Sequence, residues 1–247
     1  MIRMQSWDDA KAAKRPRQHE NFEGFITDFI ETADSRSVVA QAFLVEQNPN
    51  WVTPAHFHLE HQFQVVTAGA GAIGRHAVRA LAVHYASPET GYGPVTAGPE
   101  GVSYLTLRAM ADTGAWYLHN PEQRAKMRRD VKKHQTHASP EKSVSAEELR
   151  SLAAPSTEEL IAPLENGLAA HLVRLPPGKT LTLPSRHLHA GRFYIATGGS
   201  MQVAGKALRA LATVFASSDE VLPIASGSEG LEVLVLQFPR EALEAQG

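Results

Sequence analysis

RALAVHYASPETGYGPVTAGPEGVSYLTL at residues 79–107 returns, diverged, as RALATVFASSDEVLPIASGSEGLEVLVL at residues 209–236. Arg79 aligns with Arg209 at an offset of 130 and Gly101 with Gly230 at 129, so the second copy is one residue shorter opposite Tyr92, Gly93 and Pro94. The repeat extends upstream. QFQVVTAGAG from Gln62 matches RFYIATGGS from Arg192, again at 130, and a His-x-His pair precedes each: His56 and His58 in one copy, His187 and His189 in the other. Solenoid units run roughly 20–50 residues, so a period this long marks a duplicated domain whose copies can each bury a core.

Within each copy, short runs of Val, Leu, Thr, Phe and Tyr alternate with Gly, Pro and Ser breaks, which predicts an all-β sandwich or barrel. The expected strands are 37–45, 63–67, 81–85 and 102–107, mirrored by 168–175, 193–197, 211–215 and 231–238. Glycines at 67–74 and 196–205 suit tight hairpins, which need positive φ. Between the copies the composition turns helical. Residues 121–134 begin with Pro at a first helical position and continue in Glu, Gln, Arg, Lys, Ala and Met, and Ser145 stands three residues before Glu148 as a capping box. The expected layout is an N-terminal arm and first barrel at 1–111, a helical linker at 112–165, and a second barrel at 166–247.

A formal net charge of −2 over 247 residues lacks the basic surface that a nucleic-acid partner demands. The one basic run, residues 124–133, reads as a solvated helix face. The N-terminus shows no apolar signal core, and no apolar run approaches the roughly 18 residues that span a bilayer, so the expectation is a cytoplasmic protein without a membrane partner. Zero cysteines leave nitrogen and oxygen as the available metal ligands. There is no Gly-x-Ser-x-Gly elbow and no His-Glu-x-x-His helix. The glycines at 69–74 lie between expected strands with no helix following, which is wrong for a dinucleotide loop.

The chemistry concentrates in PAHFHLEHQFQVVTAGAG at residues 54–71. Side chains alternate along a strand, so His56 and His58 share a face and Phe57 and Leu59 take the other. Two imidazoles on one face suit Fe, Mn, Ni, Cu or Zn. Gln62, four residues beyond His58, leads on pattern as the next ligand through its amide oxygen. Glu60 has the parity of the histidines and competes as the alternative ligand if the strand runs that far, with His61 a less favoured third.

This arrangement, His-x-His, a three-residue spacer, a polar residue, an aliphatic strand and a glycine turn, resembles the first motif of the cupin superfamily, and the duplication resembles a bicupin. The resemblance implies two jelly-roll β-barrels and a divalent transition metal held by His56, His58 and Gln62. The sequence departs from the family's pattern in two places. Gln62 stands where cupins carry Glu, and no third His follows Pro88, where the expected position falls near Tyr92 or Gly93. Tyr92, or His84 in the preceding strand, is then the candidate to orient substrate or act as acid/base partner. In the second copy Arg192 takes the place of Gln62 and Leu222 that of Tyr92, so the pocket of His187, His189 and Arg192 reads as degenerate, or as a holder of an anion. The implied function is a metal-dependent oxygenase on a small organic substrate. The alternatives are a metal-dependent isomerase or lyase and a non-enzymatic small-ligand or structural bicupin, any of them a possible homodimer.

Overall fold

The computed structural model describes residues 1–30, 39–112, 114–184 and 188–243. The chain divides into two compact units, Lys11–Ala138, and Met1–Ala10 with Ser139–Glu244. In the first, an antiparallel sheet runs in the order Gln135–Ala138, Val83–Ala86, Gln62–Ile73, Val95–Met110, Val39–Gln47, Phe22–Ile30 and Arg15–His19. Val52–Thr53 and His76–Arg79 pair onto its long strands, and His56–Phe57 forms a separate short ladder with Trp116–Tyr117. The second unit runs Ile2–Gln5, Thr213–Ser217, His189–Val203, Ile224–Pro239, Ala169–Leu175 and Ser156–Ile161, with Thr180–Leu181 and Lys206–Leu208 pairing off that path. The mirrored strands of the sequence repeat therefore occupy matching places in the two sheets. Residues 37 and 38 of the first expected strand lie outside the described residues.

Alternation builds the site of the first unit. Gln62, Gln64 and Val66 share one parity on their strand, as do Tyr104, Thr106 and Arg108 on the next and Gln41, Phe43 and Val45 on the one after. The ladders place Arg108 opposite both Gln62 and Gln41, and Tyr104 opposite Val66 and Val45. One end of this face is therefore apolar, packed with Val45, Val66, Val102 and Tyr104. Its other end is polar and still buried, because it carries Gln41, Gln62, Gln64 and Arg108.

The structure corrects four local expectations. First, most of each glycine-rich segment runs inside a continuous strand, Gln62–Ile73 or His189–Val203, and the hairpin turn falls at its end, at Gly74 and at Ala204 and Gly205. Gly69 (φ +69) and Gly199 (φ +67) make the bends, and a Cβ at either would overlap the carbonyl oxygen of Gly101 or Gly230. Second, the helix opening at Pro121 stops at Ala125 although the helical composition continues. Glu89 draws the chain away, accepting from the backbone N–H of Arg128 at 2.5 Å and from its Nε at 2.6 Å. The Ser145 capping box does form, on the helix Ala146–Arg150.

Third, the segment expected as a helical linker supplies an edge strand to each sheet: Gln135–Ala138 pairs with Val83–Ala86, and Ser156–Ile161 with Ala169–Leu175. Fourth, the N-terminal arm is divided: Arg15–His19 and Phe22–Ile30 join the first sheet, and the opening residues do not. Ile2–Gln5 pairs with Thr213–Ala216 in the second. Both corrections answer one need, since an uncovered strand edge exposes unpaired N–H and C=O groups. The repeated sequence carries no strand for that edge, so a segment outside the repeat fills it in each barrel.

Candidate functional site

A cavity of about 290 Å³ opens at the polar end of the first barrel. His56, His58, Gln62 and Tyr92 line it together, with Gln64, Tyr104, Arg108, Asp112 and Tyr117. His56 and His58 share this cavity as their alternation requires, ring centroids 5.3 Å apart. Phe57, on the opposite face, is fully buried and stacks on Trp116 at 6.4 Å.

Each imidazole is fixed by its Nδ1. That of His56 lies 2.8 Å from the Pro54 carbonyl oxygen, and that of His58 lies 2.8 Å from Asp112 Oδ2 and 2.9 Å from the Gly114 oxygen. The Pro54 oxygen only accepts, so His56 Nδ1 carries the proton and its Nε2 is a lone-pair acceptor; His58 Nδ1 faces a donor as well as two acceptors, because Arg108 Nη2 lies 3.1 Å from it. The Tyr92 hydroxyl accordingly donates to His56 Nε2 at 3.0 Å and accepts from Gln62 Nε2 at 2.8 Å. Burial, with the His58 ring and Arg108 adding to it, lowers the His56 pKa to about 3. Burial and then Arg108 lower His58, with Asp112 opposing. Burial raises the Tyr92 phenol above its ordinary range. At neutral pH the site holds neutral imidazoles and a neutral phenol.

Arg108 was not visible in the motif, yet it organises the site. Its Nε and Nη2 donate to Gln62 Oε1 at 3.0 and 2.6 Å, and its Nη1 donates to Gln41 Oε1 at 2.5 Å. A guanidinium has donors and no acceptor, so the Gln62 amide must turn its oxygen to Arg108 and its nitrogen to Tyr92. The expectation that Gln62 ligates a metal through that oxygen therefore meets an oxygen already committed to two N–H groups. Glu60 does not replace it. The short strand ends at Phe57, and Glu60, though buried, does not line the cavity. His61 is also directed elsewhere, with Nδ1 2.6 Å from the Tyr85 hydroxyl. Among the described residues no group of three or more His, Cys, Asp or Glu side chains could hold a metal ion. Two neutral imidazoles beside a buried guanidinium do not fit a resident divalent cation.

His84 stands behind the cavity wall, its ring 4.8 Å from that of Tyr92. It donates from Nδ1 to Gln64 Oε1 at 2.8 Å and stacks on His137 at 4.5 Å, which stacks in turn on His76 at 3.9 Å. Tyr92 lines the cavity, whereas His84 does not and touches the lining residues Tyr92 and Gln64.

The second barrel holds the same pair of residue types in exchanged places. Gln62 faces Arg108 across two strands of the first barrel, and Arg192 faces Gln237 across the matching strands of the second. Arg192 Nε donates to Gln237 Oε1 at 2.8 Å, and its Nη1 and Nη2 donate to the carbonyl oxygens of Leu183 and Pro184 at 3.0 and 3.1 Å. All three nitrogens donate to protein oxygens, as a degenerate pocket would have it. His187 lies outside the described residues. His189 is partly buried, and burial and then Arg192 lower its pKa to about 4. Leu222, in the place of Tyr92, packs on the apolar core. A cavity of about 280 Å³ does exist in this unit, lined by residues such as Thr157, Glu159, His171 and Gln237, but neither His189 nor Arg192 reaches it.

Arg108 did leave a signal in the sequence. It lies one residue beyond the strongest part of the repeat, where it aligns with Gln237 just as Gln62 aligns with Arg192. Asp112, Gln41, Tyr104 and Tyr117 carry no such mark.

No protein-family model matches the sequence, and no curated protein matches it either. Solved structures do. An 11S globulin from Wrightia tinctoria, described as revealing an auxin-binding site, aligns with a TM-score of 0.61 at 10% identity, over 96% of this chain and 83% of its own. A bacterial pirin from Escherichia coli in complex with nickel(II) aligns at 0.57 and 10% identity, over 97% and 99%. A candidate dioxygenase from Nostoc punctiforme aligns at 0.56 and 12% identity, over 98% and 80%. Such identities speak to architecture alone. These neighbours are cupin-fold proteins, and the likeness runs through both copies of the repeat, so this chain has a bicupin fold, two jelly-roll barrels.

Proposed function

We propose that the N-terminal barrel is the working site and binds a small organic molecule, while the C-terminal barrel is a structural copy. The asymmetry at one position carries this reading. In the first barrel the Arg and Gln pair withdraws into the wall and leaves a polar cavity lined by His56, His58 and Tyr92. In the second, the arginine reaches across to backbone carbonyls at that position. A cavity near 300 Å³ with a few fixed polar groups on an apolar wall has the size and character of a small-ligand site. The His58 ring is oriented towards it from behind by Asp112, Gly114 and Arg108, all at Nδ1.

The test is ligand-observed NMR with a set of neutral and charged fragments. Hits that vanish in Ala115→Trp, which fills the cavity, and persist in His171→Ala of the other barrel are the expected result. A set with no cavity-dependent hit overturns the reading.

One observation favours a second reading, a metal-dependent oxygenase or isomerase using Fe, Mn, Ni, Cu or Zn. Both imidazoles have Nδ1 held by protein partners and line the same cavity, as metal-bound histidines usually do, and nickel(II) is bound in one fold neighbour. That reading needs a third donor, which Gln62 does not supply while Arg108 holds its oxygen. Elemental analysis of protein purified without added metal, and again after reconstitution, separates the two. The expected result is no stoichiometric metal; near-stoichiometric metal lost in His56→Ala and His58→Ala would carry the second reading instead.

A further inference from the structure

We infer that the ligand of the N-terminal cavity is an organic anion, a small carboxylate with an apolar body, received by cationic and O–H donors built into the barrel in place of a metal. The inference rests on the small-molecule reading above and names its ligand class. Charge comes first. Three arginines and two aspartates line the cavity, Arg15, Arg17 and Arg108 against Asp28 and Asp112. Arg15 is taken by Asp28 in a two-pronged contact. Arg108, fully enclosed, is balanced by the field of Asp112 and by the two glutamine oxygens. Arg17 is left over: among the described residues no ion pair engages it, and it lines both the deep cavity and the shallower recess at its mouth. With the buried histidines neutral, the lining carries one positive charge in excess.

The neutral polar groups point the same way. Tyr92, Tyr104 and Tyr117 all face the cavity, and burial holds each phenol above its ordinary pKa, so all three keep their protons. Tyr117 thus offers an O–H donor near the surplus guanidinium of Arg17, with which it shares both the cavity and the recess, an arrangement that receives an oxyanion and repels a cation. Phe22, Ile26, Phe43 and Val45, in the cluster that includes Tyr92 and Tyr104, supply apolar lining for the rest of the molecule.

Isothermal titration calorimetry with benzoate and phenylacetate, against benzamide and phenylacetamide as neutral shape controls, tests the class. The carboxylates are expected to bind at least about tenfold more tightly than their amides, the size of one charge-assisted contact. Their affinity should fall with added salt and fall several-fold in Arg17→Gln, while Arg192→Gln of the other barrel leaves it unchanged. Arg17 is exposed, so its replacement keeps the fold. Equal binding of amides and acids, acid binding indifferent to Arg17→Gln, or no binding of any probe overturns the anion assignment. Amides that bind as tightly as the acids and are abolished by Ala115→Trp would do so while leaving the small-molecule site standing, and loss of every cavity-dependent hit would remove both.

Discussion

The N-terminal barrel places glutamine on the strand that follows the His-x-His pair and arginine on the strand opposite; the C-terminal barrel places arginine first and glutamine opposite. The cross-strand hydrogen bond from Nε to the amide oxygen is kept in both, at 3.0 and 2.8 Å. What changes is where the rest of the guanidinium goes. From Arg108 it turns into the wall, to Gln41 and Gln62, and the cavity stays open with its histidines fixed around it. From Arg192 it crosses to the carbonyls of Leu183 and Pro184 and ties down the segment leading to the second His pair. A duplicated pair can thus keep its local energetics while its direction decides which copy has a site.

The largest effect should come from breaking this pair. Arg108→Met leaves Gln41, Gln62 and the buried Asp112 without their cation, at a cost of about 3–5 kcal/mol, as for other buried charges that lose a partner. Arg192→Met should cost only about 1–2 kcal/mol, because its oxygen partners are backbone carbonyls and a partly buried amide. Urea unfolding of the two variants measures the gap, and equal losses would mean that the two pairs are not functionally distinct. The double variant Gln62→Arg with Arg108→Gln writes the first barrel in the order of the second. It should recover much of the loss of its single parents, and failure to do so would show that the surroundings, Gln41 and Asp112 above all, accept only one direction.

A smaller effect is expected at Tyr92, whose counterpart is Leu222. Tyr92→Phe removes the hydroxyl joining His56 Nε2 to the Gln62 amide and should cost about 1–2 kcal/mol, with a changed ¹⁵N shift at His56 Nε2 by NMR. Unchanged imidazole shifts would place the Tyr92 proton elsewhere.

The smallest and most graded difference is in pH response. Burial lowers His56 and His61 to about 3 and His137 to about 4, and it lowers His58 and His84 as well. Unfolded, each imidazole takes up a proton near about 6.5. The unfolded state therefore binds more protons below that value, and stability, complete above it, falls as pH drops from about 6.5 towards the folded values. In the C-terminal barrel the partly buried His189 is the comparable group. Hydrogen exchange between pH 7 and 5 should show opening rise first in peptides from Gln62–Ile73 and Val83–Ala86, ahead of His189–Val203. Uniform loosening of both sheets would break the comparison.

What the sequence determined by itself is what local pattern encodes: the duplication, the β class with matching strands in both copies, and the common face of His56 and His58. Alternation and spacing are enough for these, because a strand's period fixes which side chains share a face. Tertiary structure alone decided the partners. Arg108 meets Gln41 across 67 positions and Asp112 meets His58 across 54, contacts set by sheet register and barrel closure rather than by neighbours in the chain. The same holds for the strands outside the repeat, Ile2–Gln5 and Gln135–Ala138, which carry no motif and find their places only because a sheet edge was left to fill. Gln62 shows the limit most clearly: its position in the motif suggested a ligand, and a guanidinium arriving from the neighbouring strand decided which way its oxygen points.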